Sequence, residues 1–357
     1  MSERKQADPN HPQPRPRQGR REFDVLALGE LLIDFKMRLP LAPSLTQSSH
    51  SIASGINAAP SLHGDAGGAP ANVLAAVSRL GGQAGFIGKV GRDGFGDFLA
   101  STLRHYGIDV TGLTESAEVL TTLAFVSLNA DGERSFSFHR NPGADTQLSL
   151  DDIDLRLLQQ TKVFHFGSLS LTSEPARSTT LAVAKAARQA GCIVSFDPNW
   201  RSPLWPHQNE AVEQMLRGIK TAHIVKVSEE ELRLLTDTSD VRQGAMTLLK
   251  KGPELVLVTL GSEGCFYANR QDLTGRVPSI PVHAVDTTGA GDAFMGGFLW
   301  QVTRDLRQPV ASWHRQKLEA AIHFANAVGA LTASRSGTMS AMPSLSEVNQ
   351  VLVRGTD

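Results

Sequence analysis

Two cysteines in 357 residues, Cys192 and Cys265, exclude a disulfide framework, and without CxxC spacing they exclude a thiolate zinc site as well. No stretch approaches the ~18 consecutive apolar residues that span a bilayer. Neither sign of charge is in excess: 35 basic residues face 36 acidic ones, for a formal net charge of −1. That balance removes the electrostatic basis for nonspecific binding to nucleic acid or to an anionic membrane. The opening segment, MSERKQADPNHPQPRPRQGRR, lacks the apolar centre of a secretory signal. Neither GxGxxG nor GxxxxGK[ST] occurs, which excludes Rossmann and Walker-type phosphate loops, and the eleven histidines show no HExxH spacing. These absences leave a soluble, cytoplasmic protein as the expectation. The chain is 41% apolar, enough for a sizeable core, and its length suits two domains or one large α/β domain with an accessory piece.

Residues 1–21 are polar, basic and proline-rich, and read as a disordered tail. Order begins at Phe23-Asp24-Val25-Leu26-Ala27-Leu28, a short apolar run suited to a buried strand. Residues 40–67 show no period and predict a loop with at most one strand. From Ala69 the period becomes helical: Val73, Val77 and Leu80 share a face, Pro70 opens it, and Gly81-Gly82 stops it. Thr121–Leu128 predicts a strand, Asp131-Gly132 a hairpin turn, and Ser135–Phe138 its alternating partner. Apolar runs at Val163–Phe166, Ile193–Phe196, Ile224–Val227 and Leu255–Leu260 then recur about every 30 residues, the length of a βαβ unit. Four in succession predict an α/β fold with a mainly parallel sheet covered by helices on both faces. A small β excursion would be built from residues near 35–66 and 118–142, within one domain spanning 22–357.

The sharpest segment is Val285-Asp286-Thr287-Thr288-Gly289-Ala290-Gly291-Asp292-Ala293-Phe294. Phe294, Phe298 and Val302 follow at helical spacing, so a helix starts near Gly291. Small residues there leave its first N–H groups open to an anion, which the helix dipole favours. An aspartate beside such a pocket can take a proton from a hydroxyl while the amides hold charge on a transferred phosphoryl group. On spacing alone, the commoner role of such an aspartate is to cap the helix. Gly67-Gly68-Ala69-Pro70-Ala71-Asn72 is a second constellation: the glycines permit close backbone approach to a ligand, with an ordinary turn and cap as the alternative. Asp34, ending Leu31-Leu32-Ile33, needs a partner or a ligand hydroxyl unless the strand end is solvated. By default, Glu229-Glu230-Glu231 is a solvated helix start, and Trp200 and Trp205 pack.

GGxxxN and DTTGAGDAF, in this order and about 220 residues apart, resemble the two signatures of the ribokinase-like (PfkB) carbohydrate kinases. Gly29–Phe35, Phe86–Gly91, Leu123–Leu128, Phe138-His139-Arg140-Asn141-Pro142, Asp197-Pro198-Asn199-Trp200-Arg201 and Lys226–Glu231 further resemble its plant-type fructokinase branch. The resemblance implies a ribokinase-like fold with a small β-sheet lid, ATP as phosphoryl donor, Mg²⁺ and K⁺ as cofactors, and a homodimer joined through the lid. It assigns Asp292 as general base and Gly289, Ala290 and Gly291 as the anion hole. Asp34, Gly67, Gly68 and Asn72 would hold sugar hydroxyls, with Phe125 and Arg140 on the sugar side. Lys226, Glu229, Thr259, Gly261, Gly264 and Asn326 would serve the nucleotide, Glu229 also organising Mg²⁺. Asp286, Thr288, Thr332, Arg335 and Gly337 would form the monovalent-cation site. Lys226 replaces the family's usual asparagine, as it does in plant-type fructokinases, and can reach a phosphate as a point charge. Gly167 stands where ribokinases tend to place a sugar-binding glutamate, which disfavours ribose. Fructose is therefore the expected substrate. The alternatives are 2-keto-3-deoxygluconate, whose carboxylate Arg140 or Arg201 would meet, and a catalytically idle sugar binder.

Overall fold

A computed structural model describes residues 22–38, 61–128, 134–306 and 308–354. The tail, the stretch 39–60 and the Asp131-Gly132 turn lie outside the described residues. In chain order the elements begin with β1 (Phe23–Leu28), β2 (Leu32–Arg38), β3 (Ser61–Gly67), α1 (Ala69–Arg79), β4 (Ala84–Gly91) and α2 (Gly94–His105). Next come β5 (Ile108–Ser116), β6 (Leu123–Leu128), β7 (Arg134–His139), α3 (Arg156–Gln159), β8 (Thr161–Gly167), α4 (Ala176–Gln189) and β9 (Ile193–Asp197). They are followed by α5 (Gln208–Thr221), β10 (Ile224–Ser228), α6 (Glu229–Thr236), α7 (Val241–Leu249), β11 (Leu255–Thr259), β12 (Cys265–Asn269) and β13 (Thr274–Val277). The last three are α8 (Ala290–Arg304), α9 (Arg315–Ala333) and α10 (Leu345–Arg354).

Among the described residues, nine strands form one sheet in the order β13-β12-β11-β10-β9-β8-β1-β4-β5. The four runs expected as parallel strands are β8 to β11, paired side by side and all parallel. Beyond them β12 and β13 add an antiparallel edge, which apolar periodicity did not announce. Strand residues alternate between two cores. Val25, Val163 and Ile224 face α1, α8 and α9, while Leu26, Phe164, Val194 and Val225 face the α4–α7 side. The buried parallel strands therefore read as continuous apolar runs.

A separate four-stranded sheet, β3-β2-β6-β7, stands off the large one. β2 pairs antiparallel with β3 and parallel with β6, with Asp34 opposite Asp65 and Ala124.

Helix α8 is the element that sets the site. It lies between α1 and α9, and glycines permit that approach: a Cβ at Gly296 would stand 2.6 Å from Ala76 Cβ, and one at Gly297 2.9 Å from Val328. Sliding α8 against α1 brings Asn72, in the first turn of α1, to Asp292, in the first turn of α8.

Candidate active site

The C-terminal ends of parallel strands leave an open crevice, the usual place for a ligand in an α/β sheet. α8 starts there on Gly289, in a left-handed conformation (φ 76°), and no side chain caps it. Its first-turn amides are thus open to an anion at the positive end of the helix dipole. Asp292 sits in that turn, only 7% exposed. One carboxylate oxygen accepts from Asn72 Nδ2 at 2.9 Å, the other from Asn199 Nδ2 at 3.2 Å. Burial, helped by the nearby charge of Asp197, pushes its pKa up to about 6 against the pull of Asn72, Lys226 and Arg201. The carboxylate is ionised at neutral pH and a stronger base than an exposed aspartate.

Behind this helix start, Lys226 rises from β10. Its ammonium lies 2.9 Å from Asp197 Oδ2, both side chains buried. A Cβ at Gly291 would stand 3.1 Å from the same nitrogen, so the cation backs directly onto the helix start. Burial alone would lower the lysine pKa, but the carboxylates of Asp197, Glu231 and Asp292 hold it well above its ordinary value. A permanent positive charge thus stands beside the first turn of α8.

On the small-sheet side, Asp34 points toward this crevice. Burial raises its pKa to about 6, opposed by Arg201 and Lys36. A Cβ at Gly67 would fall 2.0 Å from Asp34 Oδ2, so only glycine leaves room for the carboxylate. Gly68 caps α1 at φ 119°. Asn72 spends its amide N–H on Asp292, and its buried Oδ1 has no hydrogen-bond partner, an acceptor waiting for a hydroxyl donor. The Arg201 guanidinium is near enough to favour the ionised form of both Asp34 and Asp292.

Two residues expected on the sugar side, Phe125 and Arg140, are engaged by the protein's own side chains. Phe125 stacks on Phe35 at 5.3 Å, and Phe35 neighbours Asp34 along β2, so both rings occupy the sheet face opposite Asp34. Arg140 is buried against Asp145. Its Nε donates to Asp145 at 2.8 Å, Nη1 to Thr172 Oγ1 at 2.7 Å, and Nη2 to the Leu169 carbonyl at 3.0 Å. Its charge is consumed internally, anchoring the end of β7 to the large domain.

The nucleotide-side residues cluster past β11. Thr259 ends that strand, with Gly261 and Gly264 in the turn leading to β12. Asn326 on α9 donates to the carbonyls of Val277 and Pro278, fixing the chain after β13. Glu229 is exposed in the first turn of α6. The cation-site loops are drawn together where the Val285 and Asp286 N–H groups donate to the Ala333 carbonyl. There the Asp286 carboxylate accepts from Thr288 and pairs with Lys36 at 3.5 Å, while the Arg335 guanidinium pairs with Glu347 at 2.6 Å. The Thr332 hydroxyl donates to the Val328 carbonyl, and Gly337 turns at φ 112°. No group of three His, Cys, Asp or Glu stands ready for a metal among the described residues.

Four contributors escaped the sequence reading of roles. Asp197 and Asn199 are the strand-end aspartate and following asparagine, a recognisable strand-to-turn signal whose partners are distant in sequence. Glu231 is buried rather than solvated: it completes a capping box with Ser228 and accepts from the Trp200 N–H at 2.8 Å. Glu30 accepts from the Ala69 N–H at 2.8 Å at the start of α1, and burial lifts its pKa to about 7.

The model of the pfkB family carbohydrate kinases matches residues 24–345. Fructokinase-1 of Zea mays is 45% identical over 92% of this chain and 97% of its own length. A fructokinase of Xylella fastidiosa with bound ATP superposes with a TM-score of 0.83 at 34% identity, covering 94% of this chain and 99% of that one. A fructokinase of Vibrio cholerae O395 in its fructose, ADP and calcium ion bound form gives 0.78 at 32% identity, with 93% and 99% covered.

Proposed function

The chain belongs to the pfkB family of carbohydrate kinases, and from that premise we propose that it phosphorylates D-fructose from ATP at the 6-hydroxyl. The observation that carries the reading is Asp292, buried at the open start of α8 with Asn72 and Asn199 on its two oxygens. Asp292 takes the proton of the attacking hydroxyl as the new O6–P bond forms. The bond from the γ-phosphorus to the bridging oxygen breaks, and ADP leaves with that electron pair. Amides of Gly289, Ala290 and Gly291, with Lys226 behind them, hold the charge on the transferring group. Asp34 and the free Oδ1 of Asn72 grip sugar hydroxyls, with Gly67 and Gly68 leaving room. Thr259, Gly261 and Gly264 line the nucleotide side, near Asn326.

Glu229, an exposed carboxylate at a helix start, would organise Mg²⁺ through water, and the main-chain carbonyls of the 286–288 and 332–337 loops would hold K⁺. When bound, these ions neutralise phosphate charge. The small sheet serves as the lid that excludes water over the sugar. Beside it lies an apolar surface: Phe95 and Phe98 on α2 and Leu120 before β6 are exposed by 42–72% and line a cavity of about 550 Å³ with Ile33 and Phe35. That surface supports a homodimer through the lid. No helix among the described residues is long and apolar enough to cross a membrane, which fits a cytoplasmic enzyme.

Arg140 weakens the acid-sugar alternative, because its guanidinium is spent on Asp145 and leaves Arg201 as the one candidate of that pair for a substrate carboxylate. Coupling product formation to phosphoglucose isomerase and glucose-6-phosphate dehydrogenase tests the reading. Fructose with Mg-ATP should yield NADPH in step with ADP. ADP without NADPH would place the phosphate elsewhere on the sugar.

A further inference from the structure

Asp197 ends β9 and uses its two carboxylate oxygens differently. Oδ2 accepts from Lys226 Nζ at 2.9 Å, and Oδ1 accepts from the Asn199 N–H at 3.2 Å. The second bond folds a tight turn in which Asn199 takes a left-handed backbone (φ 45°), a conformation asparagine tolerates better than most residues. Neighbouring elements clamp that turn from both sides. The Ser168 hydroxyl, after β8, donates to the Pro198 carbonyl at 2.5 Å, and Glu231, on α6, accepts from the Trp200 N–H at 2.8 Å. The turn delivers the Asn199 amide to Asp292 Oδ1, while the ion pair delivers the Lys226 ammonium to the back of Gly291. A buried carboxylate with its own buried counter-ion is costly to keep, and a hydrophobic pair of similar volume would serve stability as well.

We propose that Asp197 is a positioning residue for phosphoryl transfer: one of its oxygens holds Lys226 behind the anion hole, and the other folds the turn that aims Asn199 at Asp292. This rests on Asp292 being the base. The groups facing Asp292 are Asp197 from β9, Lys226 from β10, Arg201 and Asn199 from the turn after β9, and Asn72 from α1. Asp197 and Lys226 act on it with opposite sign: the anion makes Asp292 harder to ionise, the cation easier.

The test is the acid limb of kcat/KM for the sugar, which reports the base in the free enzyme. Asp197→Asn should move that limb down, by about half a pH unit or more. Lys226→Gln should move it up, and the double variant should return it near the wild-type position. In Asp197→Asn, kcat should fall about ten- to a hundredfold with KM for sugar little changed. A merely structural role lowers activity without opposite displacements of the limb. Limbs that stay in place, or move in the same direction, would overturn the proposal. Should Asp197→Asn fail to fold, Asn199→Gly keeps the left-handed turn and deletes the amide. It is expected to lose about tenfold in kcat at unchanged KM, and wild-type turnover there would overturn the proposal equally. An Asp292→Asn control separates the two failures. Full turnover in that control sinks the base itself, whereas lost turnover with unmoved limbs in Asp197→Asn sinks only the positioning role.

Discussion

The rim of the large sheet and the small sheet each supply a carboxylate to the same crevice, and they hold it in opposite ways. Asp292 is built into a compensated cluster: two amides on its oxygens, a buried lysine and a buried aspartate behind it, and three elements converging on one helix start. Asp34 lies over a glycine, with Lys36 and Arg201 as its nearest charges of opposite sign. The small sheet's own buried ion pair, Arg140 with Asp145, is spent on anchoring it to the large domain rather than on the site. The contrast separates two tasks. On the proposed reading, preorganisation of the transferring group falls to the rim, and selection of the sugar to the Asp34 carboxylate on the small sheet.

The largest effect that would break this contrast is on Asp292. Asp292→Asn should lower kcat about a thousandfold or more, with KM for sugar and ATP little changed, in steady-state ADP release. Since the base must be ionised to accept the proton, wild-type kcat/KM should also fall as pH drops through about 6, the value to which burial lifts this group. Next comes the anchor. Arg140→Met strands the buried Asp145 carboxylate and should cost about 3–5 kcal/mol in denaturant unfolding. An unchanged midpoint would show that the Arg140–Asp145 pair does not anchor the small sheet. Asp34→Ala should be milder and of a different kind: kcat/KM for sugar down about 10–100-fold, mostly in KM, with KM for ATP unmoved, as befits lost charged hydrogen bonds to substrate. Gly67→Ala is the finest probe. Its new methyl would occupy the space of Asp34 Oδ2, so it should reproduce the Asp34→Ala pattern at about tenfold, and unchanged KM would show that the carboxylate does not need that ledge.

Much of the rim is legible in the sequence, for a physical reason. Open helix starts and buried parallel strands leave local marks, small residues and continuous apolar runs, so α8 and the strands β8 to β11 are legible in short windows, whereas spacing alone favours a capping role for Asp292 and the family resemblance supplies the base. What stayed hidden depends on partners far apart in the chain. Asp197 acquires meaning from Lys226 on the next strand and from Asp292, 95 positions on, and Glu231 looks solvated until Trp200 is laid against it. β4 was masked by Gly85, Gly88 and Gly91, and β5 by alternating polar residues at the sheet's edge. Phe125 and Arg140 have partners that no local segment announces: strand alternation sets Phe125 with Phe35 on the face away from Asp34, and Asp145 pairs with Arg140.

Substrate choice is the most direct test of the account. Coupled ADP release with Mg-ATP and K⁺ should be measured separately for fructose, 2-keto-3-deoxygluconate, ribose and glucose. The account predicts a kcat/KM for fructose about tenfold or more above the others, a margin of roughly 1.4 kcal/mol or more. Preference for the acid sugar would contradict it, and would place the substrate carboxylate against Arg201.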